Sequence, residues 1–290
     1  MGISGGEPTL HPDCLRICQE SCKRFRTFFY TNLTCKQSLL EELCALDMIW
    51  LVNTNTRKEL KQNFESNLQY LVNMPYKRYM TFGITLTGNL SEDIGYIENL
   101  LRIGRTYPRA ISYYRIAFAT PFHDKKFRLV NFDKSILYLY KKMDEQKSNI
   151  PVIYDCCVNS CQLSKDVMLK VLQDFRTTEF MHRCLPARVD ILADRSVNFC
   201  ASHPASIFSK VKDYRHFVNW IQCEKWIGHI VANYMKKHQY YCKTVKNCKN
   251  KNCPGACFAL TSSLVEQDKD KPKIITKLQN IRRNINELIN

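Results

Sequence analysis

The sequence is poor in glycine and proline, with 9 and 10 of its 290 residues, too few for long linkers or a disordered chain. It lacks any apolar run near the roughly 18 residues needed to cross a bilayer as a helix. The best stretch, Leu43 to Val52, is broken by Asp47. The opening residues, Met1-Gly2-Ile3-Ser4-Gly5-Gly6-Glu7, show no basic segment followed by an apolar one, as a secretory signal would. Gly6 also stands where a myristoylation signal needs Ser or Thr. Acidic residues are scarce: 27 Asp and Glu face 43 Lys and Arg, a formal net charge of +16. Together these absences exclude a fibrous or spanning-helix protein and lead us to expect a cytoplasmic globular chain with no membrane partner.

What is abundant is cysteine, fifteen residues. Without a secretion signal, that count points to thiols or metal ligands in a reducing compartment, not to disulfides. Half of the positive surplus lies between Lys236 and Asn290, where twelve basic residues stand against four acidic ones. Such a stretch suits nucleic acid, acidic peptide or anionic lipid, but its ordinary use is a solvated face, and nucleic acid is not the expected partner.

From Gly2 to about Asp155, short β-rich runs alternate with amphipathic helical stretches. Strands are expected at Thr27 to Thr31, Asp47 to Val52, Tyr79 to Leu86, Tyr114 to Ala119 and Ile150 to Tyr154, with helices at Asp13 to Arg24, Gln37 to Leu46, Leu60 to Val72, after a Ser91 cap, and Ser135 to Met143. Strands separated by helices of this length imply parallel pairing with right-handed crossovers. The remainder reads as a helix from Lys165 to Phe175, a hairpin within Arg188 to Phe199, a basic helical stretch from Tyr214 to Lys237, a cysteine-rich coil and a closing helix from Ile274 to Leu288.

The most specific short motif is Gly5-Gly6-Glu7-Pro8, placed between a β-rich run and a helix. Adjacent glycines let a backbone edge approach a ligand with its N–H and C=O groups free. A structural turn uses the same residues. Combined with Thr31-Asn32 after the next strand, the βα repeats and the cysteine-rich C-terminal part, the motif resembles the radical S-adenosylmethionine superfamily, in particular its members with a C-terminal auxiliary iron–sulfur domain of the SPASM or twitch kind.

That resemblance implies an α/β chain: a partial parallel (β/α)6 barrel over residues 1–160, a small cysteine-rich auxiliary-cluster domain over 161–262, and a basic helix over 263–290. It implies a [4Fe–4S] cluster and S-adenosylmethionine at the carboxyl ends of the strands, an electron donor, and hydrogen abstraction from a peptide or protein substrate by a 5′-deoxyadenosyl radical. Gly5, Gly6, Glu7 and Pro8 would bind the amino-acid end of S-adenosylmethionine. Asn53 and Asn55 fall where the ribose is held, Gly83, Ile84 and Thr85 on the strand flanking the adenine, and Arg115, Ala117 and Phe118 on the strand that closes the pocket. The Cys-x3-Cys-x2-Cys loop that holds the radical-forming cluster precedes the double glycine in that family and has no counterpart here. The expectation is a barrel lacking its first strand and that loop.

Cys14, Cys18 and Cys22 are not a substitute, because their spacing puts them in helical register. They are expected to form a small-residue core stripe with Leu15 and Phe25. The auxiliary domain is better represented. Cys184 and Cys200 resemble its opening pair, with Arg195 where that pattern has glycine, and Cys242, Cys248, Cys253 and Cys257 resemble its later run. These six are the candidate metal ligands, for iron–sulfur or, as the competing choice, for tetrahedral zinc. Asp155 and Cys156, leaving the last strand in Asp155-Cys156-Cys157-Val158-Asn159-Ser160-Cys161, are candidates to touch substrate, and a buried loop is the plainer use of the same residues. His123 and His203 read as turn or surface residues, and Trp50, Trp220 and Trp226 as packing. Two rival functions remain open: a degenerate barrel that binds one Cys-ligated metal as an accessory protein, and a zinc-stabilised nucleic-acid binder.

Overall fold

The computed structural model describes residues 1–55, 61–74, 80–119, 131–155 and 163–179, then 190–191, 196–198, 214–217 and scattered positions from 219 to 229. The chain divides into two compact units. The first comprises Met1–Ala119, Val130–Asp155 and Gln162–Phe180, and the second comprises Thr120–Leu129, Cys156–Cys161 and Met181–Asn290.

The first unit alternates strand and helix throughout: β1 Gly2–Ile3, α1 Cys14–Cys22, β2 Thr27–Thr31, α2 Gln37–Cys44, β3 Met48–Asn53, α3 Lys61–Val72, β4 Met80–Leu86, α4 Leu90–Thr106, β5 Tyr113–Phe118, α5 Asp133–Glu145, β6 Val152–Tyr154, α6 Lys165–Gln173 and β7 Thr177–Glu179. The seven strands form one parallel sheet in sequence order, each bonded to the next. Right-handed crossovers in such an order put every connecting helix on the same side of the sheet. Burial agrees. Thr27, Phe29 and Thr31 on β2, and Met48, Trp50 and Val52 on β3, are buried, whereas the residues between them are half-buried.

The buried side is where the core sits. In register across it run Phe29 and Trp50, then Val52, Phe82 and Tyr114, then Ile84, Ile116 and Tyr154. Phe29 meets Trp50 edge-on at 5.4 Å between ring centroids, so Trp50 is a packing residue as expected. Gly104 of α4 lies over β5, and a Cβ there would run into the Tyr114 ring. That contact fixes how closely α4 approaches the sheet.

Several details differ from the sequence reading. α4 is capped by Asn89, whose side chain accepts from the Ser91 N–H, not by Ser91 itself. Asp93 in the first turn of α4 is fully buried, its carboxylate accepting from the N–H groups of Thr87 and Gly88 and the hydroxyls of Thr87 and Ser135. The stripe on α1 is Cys14, Cys18 and Ser21, while Leu15 is half-buried and Phe25 exposed, because α1 ends at Cys22 and Phe25 falls in the following turn. The sheet also runs past residue 160 to an unforeseen seventh strand, β7. In the second unit, β8 (Asp190–Ile191) and β9 (Val197–Asn198) pair antiparallel, as the expected hairpin requires. Phe217 packs on Trp226 with centroids 5.5 Å apart. No helix among the described residues is long and apolar enough to cross a membrane.

Candidate functional site

The carboxyl ends of the parallel strands bring most of the singled-out residues to one edge of the sheet, the edge where α/β folds of this kind place their chemistry. Gly5 and Gly6 leave β1, Thr31 and Asn32 end β2, Asn53 to Asn55 end β3, Thr85 lies near the end of β4, Ala117 and Phe118 end β5, and Asp155 follows β6.

Glu7 is the brace of this edge. Its Oε1 accepts from the Thr9 N–H at 3.2 Å and from the hydroxyls of Thr9 and Thr31 at 2.7 and 2.9 Å. Its Oε2 accepts from the Asn32 N–H at 2.7 Å. Glu7 also caps the short 3-10 turn Pro8–Leu10, with Pro8 at its start. The carboxylate is thus engaged within the chain, and what the motif leaves open is the glycine backbone. Gly5 has φ +157°, a conformation that side chains rarely adopt. A Cβ built on Gly5 or Gly6 meets nothing within 4 Å, and neither residue forms a hydrogen bond among the described residues. The adjoining turn is itself held: Leu33 has φ +55°, and the buried Asn67 of α3 donates to the carbonyls of Leu33 and Cys35 at 2.8 Å each.

Asn53, Asn55, Gly83 and Thr85 come together as one hydrogen-bonded corner. Asn55 extends the sheet as a strand would, donating to the Thr85 carbonyl at 3.1 Å and accepting from the Thr85 N–H at 2.7 Å. The Asn53 carbonyl oxygen of the side chain accepts from the Asn55 N–H at 3.0 Å. Buried Thr54, which the sequence reading passed over, donates its N–H to the Gly83 carbonyl at 2.8 Å. Ile84 and Phe118 point to the helix side, where Phe118 packs on Phe132 and Tyr154.

Arg115 and Asp155 form an ion pair on the open side of the sheet. A Cβ on Gly83, directly in register with Arg115, would sit 2.8 Å from the Arg115 carbonyl oxygen and 3.0 Å from its Cβ, so glycine makes room for that side chain. The guanidinium carbon lies 5.6 Å from the centre of the Tyr30 ring, so the Arg115 side chain reaches across β4 and β3 toward β2 on this side. Tyr30 was not foreseen as a site residue; its signal was the alternation within Thr27–Thr31, which puts it opposite the buried set.

The described cysteines behave as packing groups. Burial pushes the thiols of Cys14 and Cys18 up, and burial followed by the nearby Glu7 carboxylate pushes Cys35 up to about 11. Protonated thiols of this kind are neither nucleophiles nor ready ligands. No group of three or more His, Cys, Asp or Glu among the described residues is arranged to hold a metal. Cys156 and the six metal-ligand candidates, Cys184, Cys200, Cys242, Cys248, Cys253 and Cys257, lie outside the described residues, as do His123, His203 and Trp220. Compared with known proteins, the chain matches no family model and no curated sequence.

Proposed function

We propose that this chain binds S-adenosylmethionine through the backbone of Gly5 and Gly6 and carries a Cys-ligated metal centre in its second unit, in the manner of a radical S-adenosylmethionine protein acting on a peptide or protein. The observation that carries this reading is the double-glycine edge, open to a ligand and tied by Glu7 to the end of β2, at the carboxyl edge of a parallel sheet. The seven sequential strands suit a partial β/α barrel.

The residues fit the amino-acid end of the cofactor. An α-ammonium and α-carboxylate need backbone acceptors and donors close by, and a glycine pair supplies both without a side chain in the way. Glu7 acts as the positioning residue: it holds the glycines against Thr31 and Asn32, and Asn55 and Thr85 fix the next two strand ends. When bound beside a reducing cluster, S-adenosylmethionine supplies a carbon radical that abstracts hydrogen. No residue of this sequence is assigned to a radical-forming cluster, because it holds no Cys-x3-Cys-x2-Cys.

A second reading is an accessory protein that keeps the cofactor edge and one metal without radical chemistry. Calorimetric titration with S-adenosylmethionine, followed by anaerobic reconstitution with iron and sulfide, decides between them. We expect saturable binding that Gly6→Val abolishes and Thr31→Val weakens about tenfold, the effect of losing one charge-assisted hydrogen bond. Formation of 5′-deoxyadenosine under reducing conditions makes the chain an enzyme. Binding without cleavage selects the accessory reading, and absence of binding overturns both.

A further inference from the structure

Two charged side chains are buried among the described residues. Arg176 is paired with Asp144 and Asp174, whereas Asp93 is fully buried and has no cation within ion-pair reach. Taking a carboxylate out of water without a counter-ion is costly, so stability alone is a poor reason to keep one there. Asp93 is compensated by dipoles. It stands in the first turn of α4, where the helix favours negative charge, and each of its oxygens takes two donors. Oδ1 accepts from the Thr87 N–H at 2.8 Å and the Thr87 hydroxyl at 2.9 Å. Oδ2 accepts from the Gly88 N–H at 3.0 Å and the Ser135 hydroxyl at 2.6 Å.

What these donors hold is the end of β4. Thr87 and Gly88 follow directly on that strand, and Gly88 turns the chain with φ +79°, a conformation that glycine adopts at little cost. Among the described residues neither N–H has another acceptor. The same segment is tied sideways, by Asn55 to Thr85 and by the Leu86 carbonyl, which accepts from the Ala119 N–H at 2.8 Å just after β5. Ser135 lies in the first turn of α5. One carboxylate therefore joins the end of β4 to the starts of two helices. The Thr87 and Gly88 carbonyls accept no hydrogen bond among the described residues, which leaves two fixed acceptors at the carboxyl edge.

We propose that Asp93 is a positioning residue for the nucleoside end of the cofactor, holding the Thr87 and Gly88 carbonyls where the amino group of a purine base can donate to them. The inference rests on the S-adenosylmethionine reading. With the amino-acid end on Gly5 and Gly6 beside β1, the rest of the ligand extends along the strand ends, and β4 is three strand spacings away, about 14 Å.

The test titrates the full chain calorimetrically with 5′-methylthioadenosine, the nucleoside half, and separately with methionine. Asp93→Asn keeps the shape but turns an amide N–H toward that of Gly88, so it is expected to weaken methylthioadenosine about tenfold, the effect of one displaced hydrogen bond. Methionine binding is expected to stay unchanged, which a merely structural role would not give. Thr87→Val, which removes a single donor to Asp93, is expected to show the same selective loss at about threefold, and it carries the test if Asp93→Asn does not fold. Equal weakening of both halves, or no weakening of methylthioadenosine, would overturn the inference. So would a parent chain that binds methionine but not methylthioadenosine, with the glycine site left standing. A parent that binds neither half nor S-adenosylmethionine itself overturns the cofactor reading and this inference with it.

Discussion

Four donors converge on Glu7, and the same carboxylate raises the Cys35 thiol nearby, after the larger effect of burial. With its pKa at about 11 against 9.0 for an unperturbed thiol, Cys35 holds roughly a hundredfold less thiolate at neutral pH. Thiol titration of the native chain is therefore expected to show Cys35 reacting about a hundredfold more slowly than after denaturation, and equal rates would refute the assignment. Above about pH 9 the unfolded thiol ionises while the folded one stays neutral to about 11, so Cys35 lowers stability as pH rises across that interval and has no effect below it. Gly5 and Gly6 stand out in the sequence as a motif, and Asn55 and Arg115 were singled out only through the family resemblance. That Arg115 meets Asp155 and the Tyr30 ring was not legible, since the meeting depends on the arrangement of several strands at once.

At the scale of elements, β7 shows what local pattern misses. Its three residues, Thr177–Glu179, follow an exposed Phe175 and carry little signal of their own. The strand is anchored by Arg176, 4% exposed, whose Nη2 donates to Asp174 at 2.5 Å and Asp144 at 2.7 Å while its Nε donates to Asp174 at 2.8 Å. The guanidinium also lies 5.4 Å from the ring centre of Tyr140, which shares a hydrogen bond with Thr177 at 2.6 Å. Removing Arg176 leaves Asp174 without its cation, so Arg176→Ala is expected to cost about 3–5 kcal/mol in urea unfolding. The Arg176 hydrogen bonds, more than its charge, hold the Asp174 carboxyl below the usual range. A depressed folded pKa contributes stability that is complete above the unfolded carboxylate range and is lost as pH falls through the folded value. Asp174→Asn is therefore expected to be less stable than the parent at neutral pH and to converge toward it in acid; a constant difference from pH 7 to pH 3 would remove the assignment.

Across the whole first unit, the alternation of strands and helices was readable because amphipathic helices and β-rich runs differ in period. Its parallel order followed from the length of the connections. Neither reading shows where the sheet stops. Among the described residues β1 and β7 are its edges, and the segments after β1 expose Leu10, Ile17 and Phe25 at 81%, 37% and 54%. An uncovered strand edge flanked by apolar side chains invites pairing with another chain. Sedimentation velocity is expected to show concentration-dependent self-association that the double substitution Ile17→Lys, Phe25→Lys reduces. A monomer at all concentrations would mean that this edge is covered.

The strand order has a consequence for how the molecule is made. Among the described residues, every strand from β1 to β7 is bonded to its neighbours in sequence and to no strand further away. Each new βα unit can therefore settle on the one before it as the chain leaves the ribosome, without waiting for the distant end. The same arrangement makes the sheet modular in descent: a unit gained or lost at either end changes the number of strands without rethreading those between.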